Sequence, residues 1–162
     1  MGPSGAGKTV VGRALATALA WPFVDADDLH DDAARAKMAA GVPLDDADRA
    51  PWLVRVCRRL TELAASAPGV VLACSALRIA YRDTLRTASP DMQFVLLDAD
   101  EATLSRRVAA RSHHFMPAAL VASQLATLER SPDLIAVDAT LPSAKIVARV
   151  RTTLALGGGP GE

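Results

Sequence analysis

Asparagine is absent from the 162-residue chain, aromatic residues make up only 4% of it, and lysine occurs at three positions, Lys8, Lys37 and Lys145. So few rings leave Ala, Val and Leu to build the core. Neither sign of charge is in excess: 18 Lys and Arg stand against 18 Asp and Glu. That balance argues against a protein that coats nucleic acid, and any anion must be held by local geometry. No apolar run approaches the roughly 20 residues that span a bilayer, so no membrane partner is expected. Cys57 and Cys74 are the only cysteines. They form no C-x-x-C pair and cannot make a four-Cys zinc site, so they read as reduced, buried thiols of a cytoplasmic protein. What is present, 51% hydrophobic and 22% charged residues, excludes disorder as the main state, and the length suits one compact domain. No signal peptide is read ahead of the first motif, which starts at residue 2.

Apolar residues recur at helical spacing over about 7–20, where Val10, Val11, Ala14, Leu15, Ala18 and Leu19 share a face. A short strand at 22–25 ends in acidic residues. Helices are predicted over about 28–40, stopped by Gly41 and Pro43, and over about 48–67, closed by Pro68-Gly69. The continuous apolar runs at 70–74 and 94–97 suit strands buried on both faces. A helix over 77–87 separates them, and Asp100 caps the next one. An irregular insert at 111–116 is followed by a helix that Pro117 opens, a strand at 134–137 and a helix that Pro142 opens. Residues 157–162 read as a disordered tail. This alternation predicts an α/β fold, a three-layer parallel sheet flanked by helices, in a single domain over 1–156.

Gly2-Pro3-Ser4-Gly5-Ala6-Gly7-Lys8-Thr9 fits G-x-x-x-x-G-K-[ST] at every fixed position. Gly2, Gly5 and Gly7 permit backbone angles that turn successive N–H groups toward one anion, and the following helix adds its positive end. The loop with the first helical turn, Gly2 and Ser4 to Val10, is therefore the expected ATP site. Lys8 reaches the β- and γ-phosphates, and the Thr9 hydroxyl can bind Mg²⁺. A phosphate loop normally follows a buried central strand, and here only Met1 precedes it. Without that strand its neighbours would stand about 10 Å apart. The expectation is that Met1 is an internal methionine and that the natural chain begins about ten residues earlier.

A GTPase would need N-K-x-D to recognise guanine, which a chain without Asn cannot carry. Asp98 and Asp100 read as strand-end and helix-capping residues rather than as the acidic pair of a mechanical ATPase. A small-molecule kinase remains. It needs a group to orient the acceptor hydroxyl, cations for the transferring phosphate and a lid against water. Asp25 and Asp27, projecting together if the segment is extended, would face the γ-phosphate. One would orient the attacking hydroxyl and the other hold Mg²⁺ through water; Asp27 is assigned the first role and Asp25 the second. Asp28, Asp31 and Asp32 read as solvated caps of the next helix.

The phosphate loop and Asp25-Ala26-Asp27 with His30 are followed in order by Lys37-Met38, Gly41-Val42-Pro43-Leu44, Asp48-Arg49 and Pro51-Trp52-Leu53. Then come Cys74-Ser75-Ala76-Leu77, Tyr81-Arg82-Asp83, Leu85-Arg86, Arg111 with His114-Phe115, and Ser123-Gln124 with Thr127-Leu128-Glu129. The chain thereby resembles the bacterial-type gluconokinases of the shikimate-kinase-like P-loop kinases over nearly its whole length. The resemblance implies ATP-dependent phosphorylation of D-gluconate to 6-phospho-D-gluconate, with Mg²⁺, in a homodimer. It implies substrate contacts from Asp27, His30, Arg49, Ser75, Arg82 and Gln124. Arg86 is a further candidate for the gluconate carboxylate, which an arginine fork suits. Arg107 and Arg111 flank a lid around 107–120, and Arg111 would meet the developing phosphate charge. The loop Asp138-Ala139-Thr140 would lie by the adenine. The family pattern differs at Ala26 (Gly), Asp31 (Pro), Ala34 (Asn) and Met116 (Phe). A shikimate-type or other polyol-acid kinase, or an inactive nucleotide-binding regulator, stays open on the residues alone.

Overall fold

The computed structural model describes residues 1–110 and 119–156. The Arg111–Met116 insert, Pro117 and the 157–162 tail lie outside them. Gly7, at φ +92°, leads into α1 (Lys8–Leu19), whose buried Val11 and Ala16 face inward. Ala20 ends that helix at φ +53°, a left-handed position that glycine usually fills. The strands are β1 (Phe23–Asp25), β2 (Val71–Ala73), β3 (Phe94–Asp98) and β4 (Leu134–Asp138). Between and after them lie α2 (Asp32–Ala39), α3 (Asp46–Ala64), α4 (Ile79–Arg86), α5 (Glu101–Ala109), α6 (Ala119–Thr127) and α7 (Ser143–Thr153).

The helix expected from residue 28 begins later. Ala26–Leu29 form a 3₁₀ turn, and α2 restarts where the Asp31 carboxylate accepts from Ala34 N at 2.9 Å. α3 begins two residues earlier than expected because Asp45 and Asp48 form a reciprocal capping box, at 2.8 and 3.1 Å. Asp100 caps α5 as expected, accepting from Thr103 N at 2.7 Å.

Side chains alternate along β3. Phe94 packs with Trp52, Val56 and Leu60 of α3 and with Tyr81 and Leu85 of α4. Leu97 packs on the opposite face with Val11, Leu104, Val108, Ile146 and Val150, from α1, α5 and α7. These are the three layers the alternation predicted. The sheet itself, however, is in two pieces, β1 paired parallel with β2 and β3 paired parallel with β4. Met1 and Gly2 lie between them. The Met1 amino group donates to Val95 O at 2.6 Å, Leu97 N donates to Met1 O at 3.0 Å, and Gly2 N donates to Ser75 O at 3.3 Å. Through these bonds Met1 and Gly2 bridge β3 to the end of β2 without a ladder among the described residues. Among the described residues no helix is long and apolar enough to cross a membrane.

Candidate active site

The glycine loop sits at the carboxyl ends of the strands, where open α/β sheets bind ligands. Gly5 has φ +83°, and a Cβ there would stand 2.6 Å from Leu104 O, so both the conformation and the close approach to α5 demand glycine. Ala6 is buried against Val11, Leu97 and Leu104, which fixes the loop on the core. Ala6 N donates to Pro3 O at 3.3 Å and Lys8 Nζ to the same carbonyl at 3.1 Å. Val10, 62% exposed, faces outward at the first helical turn. Arg107 reaches from α5 to Gly5 O at 3.4 Å and Ala139 O at 2.9 Å, bridging the loop to the segment after β4 that was expected beside the adenine.

Opposite the loop, the Asp25 carboxylate accepts from the Thr9 hydroxyl at 2.7 Å and from Asp27 N at 3.2 Å. Asp25 and Asp27 are thus neighbours through a turn, not through the extended segment expected. Asp27 is exposed. Burial, with the Asp27 charge adding to it, pushes the Cys74 thiol at the end of β2 up to about 12.

Three side chains grip the main chain of this turn. Trp52 Nε1 donates to Ala26 O at 2.7 Å. Arg55 Nε donates to Leu29 O at 2.8 Å, and its other arm pairs with Asp31 at 3.1 Å. Arg35 donates to His30 O at 2.9 Å and Asp28 O at 2.8 Å. The His30 ring stacks on Trp52 at 4.7 Å and 6° between planes. His30 is only 8% exposed, and its Nδ1 is buried without a partner. Burial lowers its pKa, with Asp27 opposing the shift. Neither Arg35 nor Arg55 was singled out in the sequence, since an arginine that binds carbonyls has no spacing signature. Asp31, where the family pattern has proline, serves as the α2 cap, and Ala34 is buried.

Arg49 donates to the Tyr81 hydroxyl at 3.1 Å and lies over its ring, 5.5 Å from the centroid. Tyr81 in turn donates to Asp46, which Arg78 also holds at 2.8 and 2.9 Å. The tyrosine hydrogen bond, with Arg78 and Arg49 behind it, keeps the Asp46 carboxyl below the usual range. Arg78 follows the Ser-Ala-Leu block directly and was missed; Glu129, quoted in its block without a role, accepts from Ile79 N at 2.5 Å at the start of α4. Ser75 stays at the end of β2, half-buried. Gln124 reaches the glycine loop itself: Ser4 N donates to its Oε1 at 2.7 Å.

Two arginines stand elsewhere than expected. Arg82 is 0% exposed. Its guanidinium donates to Ala76 O (2.9 Å), Leu77 O (3.2 Å), Glu129 O (2.7 Å) and the Ser131 hydroxyl (3.2 Å). It holds the turn at Ala76, which has φ +45°, instead of facing an open cleft. Arg86 pairs with Asp83 and Asp133 and lies over Phe94, at the amino ends of β3 and β4, away from the loop. Arg111 lies outside the described residues.

Comparison with known proteins accords with this arrangement. A family model described as an AAA domain matches residues 1–131. The gluconokinase of Gluconobacter oxydans (strain 621H) is 49% identical over 129 residues, covering 80% of this chain and 72% of that protein. The thermosensitive gluconokinase of Escherichia coli (strain K12) is 39% identical over 155 residues, 93% of this chain and 83% of that one. A crystal structure of a gluconokinase from Sinorhizobium meliloti 1021 superposes with a TM-score of 0.80 at 41% identity, covering 96% of this chain and 93% of the other. The chain belongs to the gluconokinase family of P-loop kinases.

Proposed function

We propose that this protein transfers the γ-phosphoryl group of ATP to a hydroxyl of D-gluconate, releasing 6-phospho-D-gluconate and ADP. The observation that carries the reading is a glycine loop facing an acidic turn across Thr9–Asp25 at 2.7 Å, in a chain 49% identical to a gluconokinase over four-fifths of its length. The main-chain amides of Gly5 to Val10 hold the phosphates, and the Lys8 ammonium leaves Pro3 O for the β- and γ-oxygens. Asp27 accepts the hydrogen bond of the acceptor hydroxyl and aims its oxygen in line with the γ-phosphorus. As the new O–P bond forms, the bond between the γ-phosphorus and the β–γ bridging oxygen breaks. ADP leaves with that electron pair, and the hydroxyl proton passes to the Asp27 carboxylate. The Thr9 hydroxyl and the Asp25 carboxylate are hard oxygen donors already in contact, a set that fits Mg²⁺ held jointly with phosphates and water. When bound, the ion would neutralise phosphate charge at that corner.

Arg49 and Ser75, from the resembling blocks, take the sugar acid beside Asp27 and His30, and Arg107 with Arg111 frames a lid around 107–120 of one kinase domain. The family resemblance supports a homodimer in the cytoplasm. An ADP-release assay across gluconate, shikimate and related acids tests the reading. Gluconate is expected to be preferred by about 100-fold in kcat/KM. ATP binding without turnover on any acid would instead make the protein a nucleotide-dependent regulator.

A further inference from the structure

One contact at the loop has no part in that scheme, the hydrogen bond from Ser4 N to Gln124 Oε1, 2.7 Å long between residues 120 apart in the chain. A main-chain N–H can only donate. The atom that faces it must therefore be the side-chain carbonyl oxygen, and the Nε2 group with its two hydrogens points the other way. Nε2 donates to no group among the described residues. α6 holds this geometry firmly, because Val121, one turn before Gln124, is 1% exposed and packed in the core with Leu97 and Leu104.

The carbonyl of the same Pro3–Ser4 peptide accepts from Lys8 Nζ at 3.1 Å. The lysine of this motif serves the β- and γ-phosphates, so this peptide marks the γ end of the loop. The geometry points to Gln124 as a catalytic residue for the phosphoryl group rather than a ligand of the sugar acid: Ser4 N–H fixes the side-chain amide so that Nε2 donates to a γ-phosphoryl oxygen. A neutral donor there gains strength as charge spreads over the equatorial oxygens, and it needs no proton transfer of its own. This rests on the reading of the loop as the ATP site.

Two variants separate the possibilities. Gln124→Glu keeps an acceptor for Ser4 N–H and replaces the outward donor with an oxyanion. Gln124→Met removes both. The glutamate variant is expected to weaken ATP binding at least about tenfold, to leave ADP affinity within about twofold, and to lower kcat about 100-fold. The methionine variant is expected to lower kcat about 10- to 100-fold with the KM for gluconate within about twofold. Equal losses of ATP and ADP, or none, would overturn the assignment. So would a raised gluconate KM with kcat retained. If the methionine variant does not fold, the glutamate variant, which keeps the Ser4 bond, decides alone. Wild-type protein that binds neither nucleotide would refute the phosphate-loop reading beneath it.

Discussion

Arg82→Met separates a structural arginine from a substrate-binding one. The side chain is fully buried and donates to Ala76 O, Leu77 O, Glu129 O and the Ser131 hydroxyl, the first two in the interior. Methionine has nearly the right length but no donor. Hydrogen bonds from a charged group contribute about 1.5–3 kcal/mol each, and an acceptor left buried and unpaired costs about 1–3 kcal/mol. Against this stand the desolvation of the guanidinium, which lowers its pKa, and a buried Nε without a partner. The net loss should be about 3 kcal/mol, or roughly 10 °C in Tm for a chain of this size. Assayed well below its Tm, the variant should keep its KM for gluconate within about threefold, because the lost bonds go to main-chain carbonyls. Thermal denaturation and steady-state kinetics on one preparation read both quantities. A KM raised about 100-fold with Tm unchanged would show that the guanidinium binds the gluconate carboxylate and would refute the argument.

Asp27→Asn should lower kcat by about 10²- to 10⁴-fold while ATP affinity, read by calorimetry, changes little; equal losses of both would remove Asp27 from the acceptor side. Ala20→Gly relieves a left-handed alanine at the end of α1 and should stabilise by about 0.5–1 kcal/mol, a Tm rise of about 1–4 °C; a lower Tm would contradict the αL assignment. His30 has a pKa lowered by burial, so the unfolded chain binds its proton more readily than the folded one. Its contribution is complete above the ordinary histidine pKa and is lost as pH falls from about 6.5 through the folded value. His30→Phe, which keeps a ring on Trp52, should flatten the fall in Tm below that pH, and an unchanged slope would place the titrating group elsewhere.

Element types were legible because apolar spacing and caps are local. Asp100 and Pro142 begin their helices where the sequence puts them, and the glycine loop was fixed by residue types that few backbones can replace. The start of α2 was not legible, because a 3₁₀ turn and a helix share the same residues until one carboxylate, that of Asp31, finds Ala34 N. Within the site, Thr9, Asp25 and Gln124 could be named from motif and block. Arg35 and Arg55 could not, and Arg82 was named for the sugar acid instead of the backbone: their partners are carbonyls, which every residue carries, and only the fold decides which ones come within reach. Arg86 failed for the complementary reason. It lies on the same short helix as Arg82, one turn nearer the amino ends of the strands, where Asp133 takes its guanidinium.

The grip on the 26–30 turn has an evolutionary corollary. Trp52, Arg35 and Arg55 hold oxygens at Ala26, Asp28, Leu29 and His30, and those oxygens survive almost any replacement at these positions. Scaffold and selectivity are thereby uncoupled: the exposed group at 28 can be rewritten for a different polyol acid while the frame that aims Asp27 stays assembled.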